Sequence, residues 1–347
     1  MKRLLILLTS AMLIAPAAFA RPSFDVCWSI YVGWMPWEYG DTSGIVQAWG
    51  DRYDIDINVV QINDYIESIN QYTSGQFDGC TMTNMDALTI PAASFVDSTA
   101  LIVGDFSDGN DGVVLKGTDQ LANIAGQRVN LVELSVSHYL LARALESVGL
   151  TERDITVVNT SDADLVAAFT TPNVTAVTTW NPLLGEIRGM PSANVVFDSS
   201  QVPGEIIDLM VVKTDVLAEH PELGMALTGA WYEIMSKMRG EDALAVAVRT
   251  QLAEASGTDL AGFDMQLAST RMFFDAADAV AFTNSPELLT TMANVAAFSF
   301  EHGLLGSGAP TPEFIGVETP AGVFGDPNNI QLRFDPRWMQ MAADGEL

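Results

Sequence analysis

Between Gly33 and Asp41 the chain carries Trp34, Trp37, Glu38, Tyr39 and Asp41 within nine residues. Flat aromatic faces beside carboxylates suit a delocalised cation, which gains cation–π attraction on its faces and charge-assisted hydrogen bonds at its edges. Trp180 stands at a strand end in a later unit and offers a second aromatic face. Asp86 begins a helical pattern, where it either caps the helix or reaches a ligand. Glu205 and Asp208 sit in Pro203-Gly204-Glu205-Ile206-Ile207-Asp208, where the chain is expected to return from one unit to the other. A neutral solute such as urea would instead use Thr83, Asn84 and Asn181, because an unpaired buried carboxylate is costly. Guanidinium fits the residue set best, and urea comes second.

Other chemistries lack their residues. The chain has no GxSxG elbow, no GxxxxGK[ST] loop and no HExxH helix, which removes the common hydrolase, nucleotide-binding and zinc-protease signatures. Three histidines, His138, His220 and His302, are scattered without metal-ligand spacing. The acidic stretch Asp105 to Gly112 lacks the closing bidentate glutamate of a calcium loop and reads as a connection between domains. No metal and no cofactor is expected.

The elements that must position these residues alternate between strand and helix. Phe24 to Val32 reads as a strand, Gly33 to Asp41 as a long loop, and Ile55 to Ile62 as a second strand. An amphipathic helix follows near Tyr65 to Thr73, then a third strand opening at Cys80. The pattern restarts after Gly112 with strands at Val113 to Lys116, Arg128 to Val132, Ile155 to Asn159 and Val174 to Thr178. A helix runs from His138 to Val148 among them, and beyond Leu209 the periodicity is mainly helical. Such alternation implies α/β lobes with doubly wound, mostly parallel sheets, whose ligands bind beyond the carboxyl ends of the strands. The expected division is a large lobe of residues 21–112 and 210–347 and a small lobe of 113–209.

Composition sets the outer bounds. The chain has 347 residues, 44 acidic against 16 basic, a net charge of -28 and 48% hydrophobic residues. That apolar content excludes a disordered chain, and the charge disfavours nucleic acid and anionic membranes. Lys2 and Arg3, the apolar run Leu4 to Ile14, and Ala18-Phe19-Ala20 have the form of an export signal cleaved after Ala20. No later apolar run is long enough to span a bilayer, so a periplasmic location is expected. Cys27 and Cys80 either form a bridge in that oxidising compartment or pack as buried thiols.

Several phrases together carry a resemblance. They are Ser74-Gly75-Gln76-Phe77-Asp78, Gly126-Gln127-Arg128-Val129, His138 to Leu145 with Gly149-Leu150, Asn159 to Asp164, and Trp180-Asn181-Pro182. In order and spacing the chain resembles the periplasmic substrate-binding proteins of nitrate/sulfonate/taurine-type ABC transporters, nearest the branch associated with urea carboxylase. The resemblance covers roughly residues 24 to 300. It implies a two-lobed type II periplasmic binding fold, a ligand held in the cleft, hinge closure, an ABC permease as partner and a monomer that does no covalent chemistry. Anion binders of that family use the start of the helix that begins here around Ser135 to His138, where free N–H groups favour negative charge. Glu133 just before that turn argues against an anion. The rival readings are an enzyme on the same fold, of the kind serving pyrimidine-precursor or menaquinone biosynthesis, and a ligand-sensing partner of a signalling receptor.

Overall fold

The computed structural model describes residues 20–347, so the expected export signal, apart from Ala20, lies outside the described residues. The chain first forms β1 (Ser23–Trp28), β2 (Asp56–Gln61), β3 (Gly79–Thr83) and β4 (Ser98–Ser107). It then leaves to form β5 (Asp111–Lys116), β6 (Arg128–Leu131), β7 (Thr156–Asn159), β8 (Ala176–Trp180) and β9 (Ala193–Asp198). It returns with β10 (Ile207–Lys213), followed by β11 (Thr270–Met272), β12 (Gly316–Thr319), β13 (Gly322–Phe324) and β14 (Ile330–Phe334).

Two sheets result, one per lobe. The larger has the order β13-β12-β14-β4-β10-β3-β1-β2 with β11 against β4, and the smaller has the order β7-β6-β8-β5-β9. The chain passes between the sheets twice, from β4 to β5 and from β9 to β10. Strand β3 is buried throughout and β10 nearly so, as near-continuous apolar runs between flanking helices require. The larger sheet is more mixed than expected. Strand β1 runs parallel to β2 and β3, but β10 is antiparallel to both β3 and β4. The returning strand enters the sheet from the end where β4 leaves it, which fixes that reversal.

Local chemistry explains the helices nearest the cleft. The helix Tyr65–Thr73 starts where predicted, with the Asp64 side chain accepting from Glu67 N–H at 2.8 Å. The segment expected as a loop from Gly33 to Asp41 instead folds, from Pro36, as the helix Pro36–Thr42. Proline suits a first helical turn because its missing N–H would have no partner there. The stretch Thr81 to Asp86 is likewise ordered, ending β3 and opening the helix Asn84–Thr89 with Thr83 as its cap. No described helix is long and apolar enough to cross a membrane.

Cys27 and Cys80 are register partners on adjacent parallel strands and are joined by a disulfide. The bridge closes a sequence separation of 53 residues, and such a loop constrains the unfolded chain by about 2–4 kcal/mol. The paired variant Cys27→Ala/Cys80→Ala should therefore lose about 2–4 kcal/mol in urea unfolding; an unchanged midpoint and slope would count against a structural bridge.

Candidate functional site

Where the two lobes meet, Tyr31, Trp34, Tyr65 and Trp180 wall a small cavity into which Thr83, Asp111 and Asp208 also face. Its volume is about 20 Å³, against roughly 10–15 Å³ for one water. Only a solute of a few heavy atoms fits. A wider groove of about 470 Å³ lies beside Asn181 and Gln266, but its charged residues, Glu186 and Arg188, are exposed. The aromatic wall is continuous. Ring centroids lie 4.9 Å apart for Tyr31 and Trp34, 5.5 Å for Trp34 and Tyr65, and 5.8 Å for Tyr65 and Trp180.

Four buried aspartates lie at or next to this space: Asp111 and Asp208 line it, while Asp105 and Asp86 sit behind its wall on the hydroxyls of Tyr31 and Tyr65. Asp105 and Asp208 are register partners on β4 and β10. Tyr31 donates to Asp105 Oδ1 at 2.9 Å, while Oδ2 of Asp105 and Oδ2 of Asp208 have no donor from any other group, so that a proton held on Asp208 is shared with Asp105. Gly33 is needed for this arrangement, since a Cβ there would lie 2.4 Å from Asp105 Oδ2. Asp86 Oδ2 accepts from Tyr65 Oη at 2.6 Å and from Thr83 Oγ1 at 2.9 Å, and its Oδ1 is unpartnered. Its carboxylate is also favoured by the backbone N–H of Val136, at the start of the helix Val136–Ser147. Asp111 accepts from Ser107 Oγ at 2.5 Å.

Among the described residues, no lysine, arginine or histidine forms an ion pair with any of the four. Burial therefore disfavours their charged forms. It pushes Asp86 and Asp111 up to about 6 and Asp105 to about 7. Asp208 rises well above the usual carboxylate range through burial and the neighbouring charge of Asp105. The site is short of positive charge, and a cation entering it would relieve both costs. The oxygens are also dispersed: among the described residues, the only cluster of three or more metal-type donors is His138, Glu152 and His302. A point ion needs converging oxygens, whereas a flat cation spreads its donors around its rim.

The structure gathers some of the predicted site residues and scatters others. Trp34, Trp180 and Asp208 line the cavity, and Asp86 adjoins it through Tyr65 and Thr83. Trp37 is core, packed on Trp231 at 5.3 Å, and closes a smaller void behind Trp34 and Asp208. Glu38 lies on the helix Pro36–Thr42, away from the lining, with its Oε2 buried and unpartnered beside the Gln251 amide that donates to Thr42. Glu133 is exposed, at the rim of a separate groove with Asp64 and Asp162. It is Asp86, not Glu133, that faces the positive end of the helix.

The remaining predicted residues hold the scaffold. Asn84 accepts from Ile207 N–H at 3.0 Å and donates to Glu205 O at 3.1 Å, fixing the returning crossover. Ser135 caps its helix, accepting from Ser137 N–H. His138 is turned to Glu152. Glu205 is taken up by Arg143 at 3.0 Å and Tyr139 at 2.5 Å. Asn181 donates to Ser269 Oγ at 3.3 Å, outside the cavity. Tyr31, Tyr65, Asp105 and Asp111 were missed. The available signal was an aspartate beside a buried apolar run, as in Thr99-Ala100-Leu101-Ile102-Val103-Gly104-Asp105, where an unpaired charge is rare.

These raised carboxyl groups fix the sign of a pH effect. The folded chain keeps protons that the unfolded chain releases near pH 4, so the stabilisation is complete below that value and is lost as pH rises through about 6 to 7. In thermal melts of ligand-free protein, Asp208→Asn should be more stable than wild type at pH 8 by about 1 kcal/mol or more, with the gap narrowing at pH 5. A variant less stable at pH 8 would contradict the charge crowding.

A family model described as NMT1/THI5 like matches residues 110–233. The taurine-binding periplasmic protein of Escherichia coli (strain K12) is 24% identical over 140 residues, covering 39% of this chain and 43% of that protein. The match thus spans less than half the length of the curated relatives. Among solved structures, the alkanesulfonate-binding protein SsuA from Xanthomonas axonopodis pv. citri superposes with a TM-score of 0.67 at 16% identity, covering 84% of this chain and 96% of that one. The periplasmic nitrate-binding protein NrtA from Synechocystis PCC 6803 gives a TM-score of 0.58 at 13% identity, covering 94% and 99%. The chain has the two-lobed α/β fold of these periplasmic binding proteins.

Proposed function

We propose that this protein is an extracytoplasmic solute-binding protein that captures guanidinium between its lobes and delivers it to an ABC-type permease. The observation that carries the reading is a small aromatic-walled cavity lined by the buried Asp111 and Asp208, backed by the buried Asp86 and Asp105, with no protein cation paired to any of the four among the described residues. Leaving such charges unpaired is costly, and a monovalent planar ion offsets that cost by donating N–H groups to carboxylates while its faces meet indole and phenol rings. Sulfonates and nitrate carry the wrong sign for this lining, whatever the fold shares with their binders. Urea supplies N–H donors but no charge, so it ranks second. The structures and relatives that the chain resembles bear the names of binding proteins, which supports capture over catalysis.

Capture works by population shift. Trp180, Asp111 and Val136 come from the small-sheet side, and Trp34, Tyr65 and Asp208 from the large-sheet side. A ligand touching both sets favours the closed arrangement by its differential affinity for it, which is what a permease can read. The acidic surface, with a net charge of -28, adds long-range attraction for cations.

Calorimetric titration of the ligand-free protein with guanidinium, urea, taurine and nitrate in parallel tests the assignment. Guanidinium should bind tightest. Asp208→Asn and Asp86→Asn should each weaken it at least tenfold, about 1.4 kcal/mol, while Glu38→Gln and Glu133→Gln leave it within about twofold. Because the ion displaces protons from Asp105, Asp111 and Asp86, affinity should fall as pH is lowered from 8 to 5, with proton uptake by the buffer on binding. Tighter binding of taurine or nitrate than of guanidinium would overturn the reading.

A further inference from the structure

Away from the cavity, a second cluster of titratable groups joins the lobes. His302 ends the helix Pro286–Glu301, which packs with the large-sheet elements, and its Nε2 lies 2.8 Å from Glu152 Oε1. Glu152 opens a short 3-10 turn before β7 in the small lobe. The same oxygen is approached at 2.9 Å by Nε2 of His138, which is 3% exposed and sits on the small-lobe helix Val136–Ser147. That approach lies off the line of the His138 N–H. Phe298 packs against both rings, with centroids 4.1 Å from His302 and 5.9 Å from His138. None of these groups touches the cavity.

Two imidazoles and a carboxylate within 4.8 Å of one another have the donor set of a transition-metal site. The tautomers argue otherwise. Nδ1 of His138 accepts the backbone N–H of Leu134 at 3.1 Å, which leaves the ring proton on Nε2, the atom a metal would need. In His302, Nδ1 donates to Phe298 O at 2.8 Å, so Nε2 can donate to Glu152 only when the ring is protonated. The cluster is built to hold a proton.

We propose that His302 and Glu152, backed by His138, form a proton-dependent latch that holds the two lobes closed over the cavity. Glu152 is partly buried, which raises its pKa, but the His302 hydrogen bond and the close approach of His138 pull it down to about 2. The same bond to Glu152 raises His302 above its ordinary value, against the opposing effect of burial. The sign follows: the latch is complete below the ordinary histidine value near 6.5 and is lost as pH rises through the raised one. The charges facing His302 are Glu152 and Glu301, with Arg143, Glu146 and Arg153 along the same groove. The groove also contains the Arg143–Glu205 pair that anchors the returning crossover. Closure is thereby tied to acidity at a place remote from the ligand, and slow release at low pH gives way to faster release at high pH. This latch rests on the proposed function only where ligand release is its readout.

Stopped-flow release of guanidinium, followed by the fluorescence of the cavity tryptophans, tests the latch in full-length mature protein. The cavity aspartates also titrate, so the quantity to read is the ratio of release rates between His302→Gln and wild type. It should be threefold or more at pH 6 and fall towards one at pH 8.5, with Glu152→Gln behaving the same way. His302→Lys, a permanent cation, should release slowly at both values. A ratio that does not vary with pH overturns the latch, as does wild-type release that speeds on adding EDTA or slows on adding zinc at pH 7.5, which would make the cluster a metal site. If guanidinium does not bind at all, the proposed function falls, and small-angle scattering of the ligand-free protein judges the latch. Wild type should expand between pH 6 and 8.5 to the dimensions that His302→Gln has throughout, and identical, pH-independent profiles would overturn it.

Discussion

The structure turns on two carboxylates brought face to face. Antiparallel pairing of β4 with β10 sets Asp105 opposite Asp208 inside the protein. Like charges directly opposite on neighbouring strands destabilise a sheet even at the surface, and burial multiplies the effect by lowering the local dielectric. Tyr31 satisfies Asp105 Oδ1, Gly33 leaves room for Asp105 Oδ2, and neither that oxygen nor Asp208 Oδ2 receives a donor from any group other than the facing carboxyl. A fold that tolerates this arrangement keeps strain where something else is meant to bind, since stability lost at a site is a common companion of function.

That constraint explains the choice of neighbours. Asp86 sits close enough to the start of the Val136–Ser147 helix for the Val136 N–H to favour its carboxylate, and the space beside it stays acidic. The rings of Tyr31, Trp34, Tyr65 and Trp180 then exclude water, which strengthens any charge placed among them. A scaffold that superposes on sulfonate- and nitrate-binding proteins thus carries an acidic lining here, since fold and site chemistry vary independently.

Position on the chain matters as much as residue type. Asp105 and Ser107 end the strand that leaves the large sheet, Asp111 begins the first strand of the small one, and Asp208 lies on the returning strand. The groups that feel the ligand are therefore carried by the two passages about which the lobes would move, and hinge motion commonly concentrates in such element-terminal positions. On a separate face, the contact among His302, Glu152 and His138 ties lobe to lobe through side chains alone, so closure has a chemistry of its own apart from the ligand's.

Much of the local structure was legible in the chain. The alternation of strand and helix, the Tyr65–Thr73 helix and the long helices after Leu209 all follow from periodicity, which acts over a few residues. The kind of lining, aromatic faces with carboxylates, was legible too, but not which carboxylates. Glu38 and Glu133 stood beside suggestive neighbours in sequence, yet helical phase turned the half-buried Glu38 away from the cavity and exposure left Glu133 at a rim. Asp105, Asp111, Tyr31 and Tyr65 converge only because strand register and the two crossovers bring distant segments together. Sequence alone determined what each short segment prefers to be; tertiary structure decided which charges meet, because like charges are forced together only by contacts between residues far apart along the chain.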